Sequence, residues 1–163
     1  MCIRDSGSGT HMTTSLCLRW LEESAVETKE VIDYGCGSGV LAIAAALLGA
    51  KKVHAVDNDP QAIAATLDNS YRNNIAEDII TAYLPEALPE LSPDILIANI
   101  LAETLIDLSV KFADLVKPGG QIALSGILEE QIPSLLSCYK RWFDLKAPII
   151  ENEWVLITGM RKA

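Results

Sequence analysis

The sequence predicts a three-layer α/β domain with a mostly parallel sheet, and three observations carry this prediction. Short β-branched runs alternate with longer helical patterns along most of the 163 residues. One run, Ile95-Leu96-Ile97-Ala98, is apolar at every position, as is typical of a parallel strand buried on both faces. The last two runs follow each other without a helical pattern between them, so the sheet should close with an antiparallel hairpin.

Seven strands and five helices are predicted along the chain. The strands are 31–33, 52–56, 79–84, 94–99, 121–125, 143–150 and 154–159. The helices are 13–23, 40–48, 60–73, 102–116 and 128–142. We expect Gly49 to cap the end of the second helix. Asp59 should be the N-cap of the third helix, with Pro60 at its first position.

Composition narrows the classes of function. A net charge of −9 argues against direct nucleic-acid binding, which needs clustered Lys and Arg, and suits a basic partner instead. No apolar run reaches the ~18 residues of a membrane span, so we expect no membrane partner. The cysteines show no metal-ligand spacing, so we expect no metal site and free thiols in a reducing cytoplasm. These cysteines are Cys2, Cys17, Cys36 and Cys138.

Residues 1–6 stand apart from the rest of the sequence. They have neither periodicity nor a targeting pattern, and they join awkwardly to the segment that begins at Gly7. We therefore expect a non-native or assembly-derived leader at 1–6 and a single domain at 7–163.

Polar residues and glycines cluster where predicted strands end. Asp33 and the loop Gly35-Cys36-Gly37-Ser38-Gly39 follow the first strand, Asp57 follows the second, and Asn99 ends the fourth. Because ligands of open α/β sheets bind outside the carboxyl ends of the strands, we expect these residues to share one site.

The glycine spacing distinguishes two classes of cofactor. Gly35, Gly37 and Gly39 allow a tight turn and close approach of a ligand to the backbone. A dinucleotide-binding loop requires a further glycine at its sixth position, where this chain has Val40. The spacing after the acidic Asp33 instead matches the loop that binds S-adenosylmethionine in methyltransferases. The alternative is a glycine-rich turn without a ligand.

Three polar residues at the strand ends each have a ligand-binding interpretation and a structural alternative. Asp57 lies ~20 residues beyond the glycines, where a carboxylate accepts hydrogen bonds from ribose hydroxyls; the alternative is a helix cap. Asp33 contacts the methionyl part of the cofactor through loop amides or water, or only braces the loop. Asn99, with its neighbouring backbone carbonyls, orients an acceptor amine, or only forms a turn.

The whole chain after the leader resembles the PrmA family, which methylates the eleventh protein of the large ribosomal subunit. The Thr-His segment together with Asn-Ile-Leu separates this family from methyltransferases in general. Glutamine methyltransferases of release factors carry Asn-Pro-Pro-Tyr instead. The segments that carry the resemblance are Gly-Ser-Gly-Thr-His-Met-Thr-Thr-Ser-Leu-Cys-Leu, Val-Ile-Asp-Tyr-Gly-Cys-Gly-Ser-Gly, Val-Asp-Asn-Asp-Pro-Gln-Ala, Ala-Asn-Ile-Leu-Ala, Leu-Ser-Gly-Ile-Leu and Glu-Trp-Val-Leu-Ile-Thr-Gly.

The resemblance implies a Rossmann-like class I methyltransferase fold that converts S-adenosylmethionine to S-adenosylhomocysteine. It implies cofactor contacts at Thr14, Gly35, Asp57 and Asn99, and methylation of lysine and N-terminal amino groups of a ribosomal protein. The chain departs from the family at Met12, where proline is usual. Family members also carry an upstream substrate-recognition domain, so we expect 7–163 to be the catalytic part of a longer enzyme.

The sequence alone also allows three other classes of function. The domain could methylate RNA or a small molecule, although its acidic composition disfavours RNA. It could be a nicotinamide-dependent oxidoreductase, which Val40 disfavours. It could also bind the cofactor without turnover.

Overall fold

The structure is a computed structural model that describes residues 11–163. The leader expected at 1–6 and the start of the domain at 7 lie outside these residues. The helices are α1 (His11–Glu23), α2 (Val40–Leu47), α3 (Pro60–Arg72), α4 (Ala102–Asp107), α5 (Ser109–Leu115) and α6 (Ile132–Tyr139). The strands are β1 (Glu30–Tyr34), β2 (Lys52–Val56), β3 (Ile80–Tyr83), β4 (Ile95–Asn99), β5 (Gln121–Leu128), β6 (Phe143–Leu145), β7 (Ile149–Glu151) and β8 (Trp154–Arg161).

One twisted sheet runs through the domain in the order β3-β2-β1-β4-β5-β8-β6, and β7 also pairs with β8. Strands β1 to β5 pair in parallel, whereas β8 is antiparallel to its neighbours. The predicted mostly parallel sheet with a C-terminal antiparallel hairpin is therefore confirmed.

The predicted strand 143–150 is two short strands, so the sheet has eight strands. Strand β6 pairs with the end of β8 and β7 pairs with its start. Pro148 lies between the two short strands. Since proline has no backbone N–H to donate, it suits an interruption at the edge of a sheet.

Three other elements differ more clearly from the prediction. The predicted helix 102–116 is divided at Leu108 into α4 and α5. Strand β5 continues through Gly126 to Leu128, because the glycine forms a β-bulge and does not end the strand. The predicted helix 128–142 accordingly starts later, at Ile132.

The signals at the ends of helices are confirmed. The Asp59 side chain accepts a hydrogen bond from the Gln61 amide at 2.9 Å, with Pro60 in the first turn of α3. At the end of α2, the amide of Gly49 donates to the carbonyl of Ala46 at 3.1 Å. The amide of Ala50 donates to the carbonyl of Ala45 at 3.1 Å, which completes a Schellman motif.

Apolar residues fill both faces of the sheet. Val31 and Ile97 pack on one face with α1 and α2, whereas Ile32 and Leu96 pack on the other with α4, α5 and α6. Successive residues of β1 and β4 thus alternate between two cores, which makes the architecture three-layered. Because helices cover both faces of the sheet, a polar site can form at the carboxyl ends of β1, β2 and β4. Within residues 11–163, the helices are too short or too polar to span a bilayer.

Candidate functional site

The loop after β1 connects that strand directly to α2. The amides of Gly35 and Cys36 both donate to the carbonyl of Val56, at 2.6 and 2.9 Å. The Gly39 amide then donates to the Cys36 carbonyl at 2.8 Å, and Gly39 adopts a φ of 86° as the N-cap of α2. The loop is therefore anchored on β2, and the amides of the first turn of α2 lie beside it.

Helix α3 supports the far side of the same loop. The Thr66 hydroxyl donates to the Gly37 carbonyl at 3.0 Å, and the Asn69 amide donates to the Ser38 carbonyl at 2.8 Å. A Cβ on Gly39 would lie 2.9 Å from the Thr66 methyl carbon, so a larger residue would separate the loop from α3. Gly39 thus serves the packing of the loop, whereas Gly35 faces the adjoining cavity.

Asp57 joins the end of β2 to the glycine loop. Its Oδ2 accepts a hydrogen bond from the Gly37 amide at 3.0 Å, and its Oδ1 accepts one from the Asp59 amide at 3.0 Å. Asp57 also lines the cavity. Each carboxylate oxygen retains acceptor capacity, because a carboxylate has about four lone-pair positions. Asp57 is thus held in place by the backbone while it faces the space for a ligand.

Asp33 lies beneath the glycine loop and is only 1% exposed. Its Oδ2 accepts a hydrogen bond from the Ala42 amide in the first turn of α2, at 3.0 Å. Burial raises the pKa of Asp33 to about 7; the Ala42 hydrogen bond opposes this rise, and the negative charge of Asp57 adds to it. This geometry supports the bracing role. A contact of Asp33 with the cofactor stays a prediction.

We expect Asp33 to make the stability of the ligand-free domain depend on pH. Its folded-state pKa is above the unfolded value of about 3.9, so the folded state retains the proton to higher pH. The free energy of unfolding should therefore decrease as pH rises towards about 7, by at most about 1.4 kcal/mol per pH unit, and level off above that.

Urea unfolding at pH 5.5 to 8 checks this expectation, with Asp33→Asn as the variant that cannot ionise. The stability difference between Asp33→Asn and the wild type should widen in favour of the variant as pH rises, and then become constant. Parallel stability curves across the range would exclude Asp33 as the titrating group.

Asn99 ends β4 beside α1. Its Nδ2 donates to the Thr14 hydroxyl at 3.4 Å, which brings together two residues that are 85 positions apart in sequence. The following amide, of Ile100, donates to the Ser125 carbonyl of β5 at 3.1 Å. The Asn99 side chain is therefore oriented by α1, while its backbone is fixed by β5.

A cavity of about 740 Å³ connects these features. It is lined by residues from the ends of β1, β2 and β4, from α1, α4 and α5, and from the β5–β8 pair. The lining residues are Thr13, Tyr34, Gly35, Asp57, Asn58, Pro85, Asn99, Ile100, Leu101, Thr104, Leu108, Lys111, Gly126 and Trp154. Of the residues expected from the sequence, Gly35, Asp57 and Asn99 line this cavity directly. Thr14 and Gly37 do not line the cavity, but they form hydrogen bonds with the lining residues Asn99 and Asp57.

Several cavity residues were missed by the sequence reasoning. Lys111 of α5 donates to the Tyr34 hydroxyl at 3.0 Å, and no sequence signal indicates this pairing. Trp154 starts β8 and reaches the cavity from the C-terminal hairpin. Gly126 lies in the segment Leu-Ser-Gly-Ile-Leu, where an isolated glycine inside a strand pattern is a signal for a bulge.

Cys17 and Cys36 are buried and Cys138 is half-buried, whereas Cys2 lies outside the described residues. Cys17, Cys36 and Cys138 are free, and burial raises the pKa of Cys36 to about 12, so its thiol stays neutral. Its Sγ accepts a hydrogen bond from the Thr66 hydroxyl at 3.3 Å. Across the part of the chain that the structure describes, three metal-ligating side chains do not come together at any point.

The fold and this site together define a class. A Rossmann-like sheet of this strand order, with a glycine loop after β1 and an acidic residue after β2, is the class I fold of S-adenosylmethionine-dependent methyltransferases. The profile of the family described as "Ribosomal protein L11 methyltransferase (PrmA)" matches residues 6–162. The chain belongs to the PrmA family.

Individual relatives agree with this assignment. The ribosomal protein L11 methyltransferase of Shewanella woodyi is 54% identical over 157 residues, which are 96% of this chain and 53% of the relative. That of Hahella chejuensis is 50% identical over 155 residues, covering 95% of this chain and 53% of the relative. The crystal structure of ribosomal protein L11 methylase from Lactobacillus delbrueckii subsp. bulgaricus has a TM-score of 0.87 at 32% identity, over 98% of this chain and 83% of that chain. The chain spans about half the length of the curated relatives it matches.

Proposed function

We propose that this chain is the catalytic part of a methyltransferase that transfers methyl groups from S-adenosylmethionine to amino groups of a ribosomal protein. The observation that carries the proposal is the convergence of Gly35, Asp57 and Asn99 on one cavity at the carboxyl edge of the sheet. Membership of the PrmA family supports the choice of ribosomal protein L11 as the acceptor.

The residues of the cavity fit the proposed cofactor. The Asp57 carboxylate suits the two ribose hydroxyls, because both of its oxygens are already oriented by backbone amides. Gly35 lines the cavity beside the loop, and Asn99 with Thr14 provides polar groups for the methionyl end. Asn58 and Pro85 also line the cavity, and we place the adenine of the cofactor beside them. The volume of about 740 Å³ lies within the range of small-molecule sites.

Asn99 is the residue we place next to the acceptor amine. Because its Nδ2 already donates to Thr14, its side-chain oxygen is the group that accepts a hydrogen bond from an amine. A lysine side chain has a pKa of about 10.4 and must lose a proton before its lone pair can react. We assign no dedicated base, so the proton leaves to solvent, and the protein acts by orienting and desolvating the amine.

When bound, S-adenosylmethionine would supply an electrophilic methyl group on its sulfonium sulfur: the amine nitrogen would form the new N–C bond as the S–C bond breaks in line, and S-adenosylhomocysteine would leave. The wall of the cavity is mostly apolar, with Ile100, Leu101 and Trp154 among its residues. Once cofactor and acceptor fill the cavity, contact with such a wall removes water from the amine and favours its neutral form.

The acceptor is a protein in this proposal, and the enzyme acts in the cytoplasm. A net charge of −9 suits a lysine-rich partner and disfavours contact with phosphates. We further propose that efficient docking of the ribosomal protein uses the part of the longer relatives that this chain does not span. The described domain alone should then act on its acceptor with a high KM.

Transfer of tritium from methyl-labelled S-adenosylmethionine tests the proposal. The chain is incubated at high concentrations of purified ribosomal protein L11 or of ribosomal RNA, with S-adenosylhomocysteine as the inhibitor control. We expect label in L11, on lysine and N-terminal amines, and background counts in RNA. Label in RNA alone would overturn the proposed acceptor, and cofactor binding without transfer to either would identify a binding module.

A further inference from the structure

The β5–β8 pair contains an irregularity directly beside the cavity. Leu124 pairs with Ile157, but the next register pair is Ile127 with Val155. Two residues of β5, Ser125 and Gly126, therefore stand opposite a single residue of β8, as in a β-bulge. Gly126 has a φ of 85°, which favours glycine, and it lines the cavity.

The bulge makes close contact with the backbone of Ile100. A Cβ added to Gly126 would lie 2.9 Å from the carbonyl carbon of Ile100 and 3.1 Å from its amide nitrogen, and would overlap its carbonyl oxygen. All three contacts involve backbone atoms, which cannot move aside as a flexible side chain can. The Ile100 amide also donates to the carbonyl of Ser125 at 3.1 Å. The bulge thus fixes the Ile100 peptide from one side.

The glycine loop holds Ile100 from the other side. A Cβ on Gly35 would overlap the Cγ2 of Ile100, so the isoleucine side chain occupies the space above that glycine. Ile100 is therefore enclosed between two glycines of positive φ, one in the proposed cofactor loop and one in the bulge. Asn99, which we place against the acceptor amine, directly precedes it.

We propose that Gly126 is a positioning residue for methyl transfer. The absence of a side chain at Gly126 sets the place of the Ile100 peptide, and this peptide sets the place of the Asn99 backbone, from which the side chain extends towards Thr14. The inference rests on the proposed function, because it concerns the acceptor end of the same cavity. Its chemical basis is that a displacement of about 1 Å in a reacting geometry is enough to lower a rate ~100-fold.

The test compares Gly126→Ala with Gly119→Ala in the full chain. Gly119 has a φ of 81°, and a Cβ there would meet no atom within 4 Å, so its variant carries the same backbone strain without the contact. Four quantities are measured: the thermal midpoint, the Kd for S-adenosylhomocysteine, and kcat and KM for ribosomal protein L11. We expect Gly126→Ala to lower kcat at least ~10-fold, with a Kd within about threefold of the wild type. Gly119→Ala should keep kcat within about twofold.

Equal kcat values in the two variants would overturn the proposal, as would a Kd that worsens in step with kcat in Gly126→Ala. Should Gly126→Ala not fold, Ile100→Ala tests the second half of the claim, that the place of the Ile100 peptide governs methyl transfer, because it removes the packing of Ile100 on Gly35 that holds this peptide from the other side. We then expect kcat to fall more than the affinity for S-adenosylhomocysteine, and an unchanged kcat would overturn the proposal. A wild-type chain that binds S-adenosylhomocysteine but methylates no L11 would refute the proposed function, and this inference with it.

Discussion

Replacing Asp57 with alanine should weaken binding of S-adenosylhomocysteine by roughly 100-fold or more. The proposed ribose contacts are two hydrogen bonds to a carboxylate, and each such bond contributes about 1.5–3 kcal/mol. A loss of about 3 kcal/mol corresponds to a factor of about 150 in Kd. The Gly37 amide also loses its acceptor, which relaxes the loop that faces the ligand.

Isothermal titration calorimetry measures this effect, and Asp59→Ala is the matched control. Asp59 lies two residues further on and caps α3 through the Gln61 amide. Its removal should lower the free energy of unfolding by about 1 kcal/mol and leave the Kd within about twofold of the wild type. If Asp57→Ala bound S-adenosylhomocysteine as tightly as Asp59→Ala does, Asp57 would not be the ribose-binding residue.

The second large effect is expected at Asn99. Asn99→Ala removes the proposed acceptor of the amine hydrogen bond, and we expect kcat for methylation of ribosomal protein L11 to fall about 100-fold. The affinity for S-adenosylhomocysteine should weaken several-fold, because the hydrogen bond to Thr14 is lost as well. Steady-state kinetics with calorimetry separates the two effects. Full turnover together with undiminished cofactor affinity in Asn99→Ala would remove Asn99 from the mechanism.

A conservative variant at the same position gives an independent readout. Asn99→Asp keeps the size of the side chain but adds a negative charge, which favours the ammonium form of the acceptor. The rate of methyl transfer should therefore reach its half-maximum at a higher pH than in the wild type. A pH profile that coincides with that of the wild type would indicate that the side chain at this position does not contact the amine.

Much of the fold was predictable because local signals and long-range packing agree. The apolar runs at β1, β2 and β4 are buried on both faces, and each ends within one residue of the polar residue that the pattern marked. The N-cap at Asp59 and the glycine after α2 follow from local hydrogen bonds at the ends of the helices. Local sequence carries that information, so these features could be predicted without a structure.

The predicted and observed strands differ where contacts with distant parts of the chain determine the pairing. Gly126 was expected to follow the end of a strand, but pairing with β8 continues past it through a bulge. The segment 143–150 was predicted as one strand, yet its two halves lie on either side of a break that includes Pro148 and pair with opposite ends of β8. Neither register can be deduced from one strand alone, since register depends on the partner.

Some residues of the candidate site could likewise be predicted from the sequence, and others could not. Gly35, Asp57 and Asn99 lie at strand ends, so the parallel topology brings them together and their proximity was predictable. Lys111 and Trp154 reach the cavity from α5 and from the C-terminal hairpin, where only the packing of distant elements places them. Periodicity indicates which face of an element is buried, but not which side chain borders a cavity.

The most direct test of the central claim is a calorimetric titration of the wild-type chain with S-adenosylhomocysteine, with NADH titrated under the same conditions. A cavity built on Gly35, Asp57 and Asn99, with Val40 where a dinucleotide loop needs glycine, should give saturable one-site binding of S-adenosylhomocysteine and no heat of binding with NADH. Saturable binding of NADH without binding of S-adenosylhomocysteine would contradict the assignment of this site.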